Sequence, residues 1–200
     1  MSGKTRGGRP QPTNIVLGVL RLARGRSDGL RQFGATREAF LASLAPLIAF
    51  PLVGGMLMLL SGGGLGVLSD FLLTLCALLA PSVLSFEVAR LWGKEAAWLR
   101  FATAFNWCQW AIPVVSVVLL VALGILVSAG LPRFVARVGA VLGLVCYAFW
   151  LHWFLARHGL GLSRMRAVIL VVCVNFGTVA IVLGPRLLTL MTGSVGLDGK

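Results

Sequence analysis

Acidic side chains are scarce in this chain: six Asp and Glu stand among 200 residues, against eighteen Lys and Arg. They form no carboxylate-rich metal motif. Histidine is rarer still, with His152 and His158 alone. A separation of six residues turns a helix through roughly 600°, so the two do not share a face. With no histidine in another apolar run, bis-histidine haem ligation inside a membrane is excluded. Cys76, Cys108, Cys146 and Cys173 lie far apart in sequence, which fits neither a CxxC metal site nor a disulfide framework. They read as small apolar residues packed in a bilayer. Also missing are a GxxxxGK[ST] phosphate loop, an HExxH pair and a GxSxG nucleophile elbow. The chain shows no catalytic constellation, and no cofactor and no metal are expected.

What the chain has in excess is apolar surface. Hydrophobic residues make up 58% and the mean hydropathy is +0.93, against roughly 45–50% apolar usage in soluble domains. At about 20 residues per span, the length allows one bundle of four to six helices and no separate catalytic domain. The expected fold is all-α: a polytopic transmembrane helix bundle of five spans, with an N-terminal amphipathic interfacial helix.

Residues 1–12 carry Gly, Pro and cations but no large apolar side chain beyond the initiating Met, so nothing offsets the entropy of ordering them. They are expected to be a disordered basic tail. An amphipathic cytosolic lead-in, 13–38, follows. As a helix it groups Ile15, Val16, Val19, Leu20, Leu22 and Ala23 against Asn14, Gly18, Arg21 and Arg24. Such a helix either lies on the membrane surface or packs on the bundle, and the segment alone does not choose. Its apolar run is too short, and too soon followed by arginine, for a signal peptide, so the N-terminus is expected to be retained.

The five-span bundle, 39–191, is expected to divide at about 39–61, 65–89, 105–127, 138–156 and 167–191, with a tail over 192–200. Thr36 is a natural N-cap for the first span, with Glu38 in its first turn. Pro46 and Pro51 should kink that span, and Gly62, Gly63 and Gly64 break it from the second. Arg90–Arg100 mixes cations with Trp92 and Trp98, as a loop at headgroup depth would. Trp107 and Trp110 anchor the start of span three, which Pro113 should bend, and span four ends in aromatics around His152.

Fourteen Lys and Arg fall on the side of the N-terminus and four on the other. That asymmetry predicts a cytoplasmic N-terminus and an outer C-terminus. It also explains the net charge of +12 by contact with anionic headgroups, without nucleic acid. Fifteen Arg against three Lys, with abundant Gly, Ala and Leu, suggest a GC-rich bacterial genome and hence the cell inner membrane.

Ionisable and amide groups inside a membrane are the first candidates for function. Asp70 and Glu87, about 25 Å apart along one helix, are too distant for an acid/base pair and are expected at headgroup depth. His152 is expected to make an interfacial hydrogen bond, and Asn106, Gln109 and Asn175 to bond between helices. Arg21, Arg24 and Arg186 are expected on lipid headgroups.

Several segments together resemble the Yip (Ypt-interacting-protein) family of five-span membrane proteins, in its bacterial form. They are the lead-in NIVLGVLRLARG, the proline-bearing LAPLIAFPLVGG of span one, LRFATAFNWCQWAIP opening span three, and the last two spans parted by a short polar loop. The resemblance implies a non-enzymatic protein that organises membranes or scaffolds partners within them. The acidic and tyrosine motifs of eukaryotic members are not found here, which removes the basis for a small-GTPase partner. The expected partners are therefore the phospholipid bilayer with its anionic headgroups, and other membrane proteins or a second copy of the chain. The alternative is a small transporter, channel or carrier subunit, motivated by the proline-broken spans and Asn175.

Overall fold

The computed structural model describes residues 14–62 and 64–195, the side chains of Leu65 and of residues 185–195 excepted. Among the described residues there is no strand. The order is α1 (Ile15–Ala23), a 3₁₀ turn (Ser27–Gln32), α2 (Arg37–Leu60), α3 (Leu65–Leu91), α4 (Glu95–Cys108), α5 (Ala111–Ser128), α6 (Arg133–Gly159) and α7 (Arg164–Val195). Five stretches are long and apolar enough to cross a membrane, the third being α4 and α5 together over Glu95–Ser128. The chain is a five-span transmembrane helix bundle. The tail expected over 1–12, and 196–200 of the tail expected from 192, lie outside the described residues.

Local chemistry sets the ends. Thr36 accepts the amide of Ala39 at 3.2 Å and caps α2, and the glycine tract separates α2 from α3. Helix α3 stops at Gly93, which takes φ 64°. There the amide of Gly93 bonds the carbonyl of Arg90 at 3.0 Å and that of Lys94 bonds Ala89 at 2.8 Å. This paired closure needs a residue in the left-handed region, which glycine adopts without a Cβ penalty.

Two boundaries differ from the sequence reading. The segment expected as a loop, 90–100, shrinks to a turn at Trp92–Lys94, because Glu95 favours a helix start and Glu95–Arg100 are good helix formers. Pro113 does interrupt the third span, and by a break between two helices rather than by a bend in one. It sits in the first turn of α5, where its missing N–H leaves no bond unmade, and the break falls just before it at Gln109 and Trp110.

The core lies at one end of the bundle. Phe101, Ala102, Ala104 and Phe105 of α4 meet Leu151, Phe154 and Leu155 of α6 and Ala167, Leu170 and Val174 of α7. Leu22, Leu30 and Phe33 close it from α1 and the 3₁₀ turn, and Leu160 and Leu162 from the α6–α7 turn. Toward the other end the helices bury little: Leu57, Leu60, Val121, Ile125, Phe134 and Leu142 are all exposed. In lipid those side chains need no protein partner.

Helix α1 packs on this core through Leu22 and Gly18, while Val16 (69%), Leu17 and Leu20 remain exposed. The side assigned to its polar residues does a different job from solvation. The Asn14 backbone N–H donates to Gln32 Oε1 at 3.2 Å, and Arg21 Nη1 donates to Asp28 Oδ2 at 3.1 Å. These contacts clasp the 3₁₀ turn. The approach is close enough that a Cβ on Gly29 would stand 2.8 Å from the carbonyl oxygen of Gly18. Backbone cannot yield as a side-chain tip does, so Gly29→Ala is expected to loosen the clasp by about 1–3 kcal/mol. Amide hydrogen exchange over Ile15–Ala23 should then quicken roughly ten-fold or more, with α4 unchanged.

Candidate functional site

Polar residues recur three positions apart on three of the inward helices: Ser82 and Ser85 on α3, Asn106 and Gln109 where α4 ends, Asn175 and Thr178 on α7. That spacing puts each pair on one helix face. The packing turns Gln109, Asn106, Asn175 and Thr178 toward one cavity of about 300 Å³, which His152 of α6 also lines. Leu47, Leu78, Pro81 and Phe105 supply apolar wall. Four of the five intramembrane polar residues singled out in the sequence therefore meet in one place.

Each has its own arrangement. Asn106, 2% exposed, donates from Nδ2 to Ser43 Oγ at 3.0 Å, and Ser43 donates to the Phe40 carbonyl at 2.6 Å. This ties α4 to α2. Asn175 turns instead to its own helix, donating to the Val171 carbonyl at 2.8 Å, as Thr178 does to Val174. The His152 ring lies 4.8 Å from that of Phe105, and its Nε2 is buried without a hydrogen-bond partner among the described residues. The interfacial hydrogen bond expected of His152 is not found among the described residues, and α6 continues to Gly159, which places the ring inside the bundle.

Beside the cavity, Trp98 Nε1 donates to Ser85 Oγ at 3.1 Å, with Phe40 and Phe86 packed on the indole.

No protein-family model, curated protein or solved structure matches this chain.

Asp70 and Glu87 stay away from the cavity. Glu87 pairs with Arg90 at 3.7 Å, half exposed, and Asp70 is exposed near the start of α3, where its carbonyl accepts from Thr74. Among the described residues no group of three His, Cys, Asp or Glu could hold a metal ion. The cavity thus offers neutral donors and acceptors: amides, a hydroxyl and an imidazole. Such a set can hold water or an uncharged hydrogen-bonding solute.

A second concavity lies on the outside of the packed end. Helix α1 stands off from α5 and leaves a cleft of about 790 Å³, walled by Val19 and Leu20 on one side and Val114, Val115 and Val118 on the other. Trp107, Trp110 and Phe50 form its floor, and Arg24 is its charged residue. Tyr147 closes one end, its hydroxyl donating to the Ala23 carbonyl at 3.1 Å. Of the three arginines expected on headgroups, Arg21 is held by Asp28, and Arg24 is exposed, with no acidic partner among the described residues. The side chain of Arg186 lies outside the described residues.

Ser43, Thr178 and the Trp98–Ser85 pair were not singled out from the sequence. Single hydroxyls in apolar helices bond their own backbone as a rule, so only the three-residue spacing carried a signal.

Proposed function

We propose that this chain is an organising or scaffolding protein of a bacterial inner membrane, with no catalytic centre of its own and its N-terminus in the cytoplasm. The observation that carries this reading is the α1–3₁₀ clasp. It is fixed to the packed end of the bundle, yet it presents exposed Val16, Leu17 and Leu20 together with Arg24, Arg26 and Arg31. Apolar and cationic groups side by side suit a helix at the headgroup level of an anionic leaflet. The other cationic segments support the same orientation. Arg166, at the start of α7, lies 5.8 Å over the Trp92 ring, which brings the α3–α4 and α6–α7 turns together, and Leu160 and Leu162 of the latter share the core with Leu22 of α1. The architectural resemblance to the Yip family points the same way.

Reconstitution into giant anionic vesicles tests the reading. Increasing protein density should tubulate or laterally cluster the membrane, and replacing Arg24, Arg26 and Arg31 by Gln should weaken that effect. Vesicles that keep their shape and mixing at every density would remove the proposal. The orientation has its own check in a chain whose four cysteines are replaced by alanine. Single cysteines at Ser2 and Ser163 should label from one side of the membrane, and those at Gly63 and Gly199 from the other. Labelling of Gly63 and Ser163 from the same side would refute it.

The polar cavity favours a second reading, a small carrier for an uncharged solute. It is bordered by the break at Gln109 and Trp110, and interrupted helices border many transport sites. Solute flux through the purified protein in liposomes, abolished by Asn175→Leu, would establish that reading in place of the first.

A further inference from the structure

We propose that the cleft between α1 and α5 holds one acyl chain of an anionic phospholipid, whose phosphate rests on Arg24. The cleft's size falls within the roughly 300–1,000 Å³ of sites that enclose a small ligand, and its walls are valine, leucine and aromatic rings. In a bilayer such a cleft fills with hydrocarbon, since an empty one forfeits dispersion contacts on both walls. A chain seated between Val19 and Val115 is touched from two sides, whereas one against the exposed outer faces of α5 is touched from one. This difference makes the lipid a resident rather than a passing neighbour.

Charge selects the headgroup. Arg24 caps α1 at the end where Tyr147 pins that helix to α6. Arg21 and Arg26 both reach toward the single carboxylate of Asp28, at 3.1 and 3.7 Å, so the clasp keeps a positive surplus beside the cleft. A guanidinium with no acidic partner among the described residues, at the mouth of an apolar slot, matches a phosphodiester bearing net negative charge.

The proposal rests on α1 lying at headgroup level, and the experiment separates the two. The purified full chain is exchanged into mixed phosphatidylglycerol and phosphatidylcholine, and retained lipid is counted by native mass spectrometry. One phosphatidylglycerol per chain should remain, preferred about five-fold over phosphatidylcholine. Arg24→Gln should abolish the preference and keep the lipid. Val115→Trp should fill the slot and remove the lipid while the melting temperature holds, with Val118→Trp as a second filler should the first not fold. Equal retention of both lipids by the unaltered chain, or undiminished retention by a folded filler variant, overturns the proposal. A cysteine at Ser27, in a chain otherwise free of cysteine, reads the placement separately. Labelling by an impermeant maleimide supports headgroup-level placement, and protection from it refutes that placement.

Discussion

Phe101→Ala is expected to lower the stability of the bundle by about 3 kcal/mol, the lower part of the range for truncating a buried Phe. Phe101 is 1% exposed, packs 5.8 Å from the Phe105 ring, and lies so near Gly159 that a Cβ there would stand 3.0 Å from Phe101 Cδ2. In a membrane the transfer part of the cost shrinks, because the separated helix still sits in hydrocarbon. What remains is the cavity and its lost dispersion contacts. Phe176→Ala is the control. That ring is 74% exposed, so its removal should change stability by less than about 0.5 kcal/mol. Titration of both variants with SDS in mixed micelles measures the difference. Equal losses at the two positions would mean that the packed end is not where the helices are held together.

The same contrast explains what the sequence disclosed. Length and hydropathy of the apolar runs reveal the spans, because a bilayer imposes a minimum length and excludes charge. Glycine punctuation reveals the turns, as at Gly62 and Gly130. Hydropathy says little about which end of a span is packed, because Leu and Val suit lipid and protein interiors alike. The surviving signals are subtler: Ala102, Ala104 and Ala156 allow close approach, and Ser43 and Asn106 need partners. The continuation of α4 back to Glu95 was hidden for a related reason, since Trp and Arg mark headgroup depth whether the backbone there is helix or loop. The cavity was legible residue by residue, and its convergence was not. Helical spacing relates Asn106 to Gln109, but only tertiary packing relates either to His152 or Asn175. For α1 the spacing set Leu22 apart from Gly18, yet the helix packs through both. Nor did the spacing say that the polar side would clasp residues 27–32 rather than face water.

Asn106→Asp is expected to cost about 3–5 kcal/mol at pH 8, the scale of a buried charge without a partner. The two side chains are nearly identical in shape, so packing is unchanged, and what changes is the charge and the Nδ2 donor to Ser43 Oγ. Asn106 lies 3.0 Å from Ser43 Oγ, and among the described residues no Lys or Arg lines the cavity. A carboxyl that ionises readily in the unfolded chain and stays uncharged in the cavity lets the unfolded state release more protons, so stability falls as pH rises. At pH 4 the loss should shrink to that of an altered hydrogen bond, about 1 kcal/mol. Asn106→Leu serves as the uncharged comparison, with a loss of about 1 kcal/mol at both pH values. Among the described residues, His152 is the titratable side chain of the cavity that could answer the new charge with a proton. Adding His152→Phe to Asn106→Asp should therefore deepen the loss at pH 8. Denaturant titrations at the two pH values decide the matter. If Asn106→Asp is as stable at pH 8 as at pH 4, water reaches the cavity and solvates the charge. A hydrated cavity between interrupted spans would count for the carrier and against the scaffold, so this substitution tests function as well as packing.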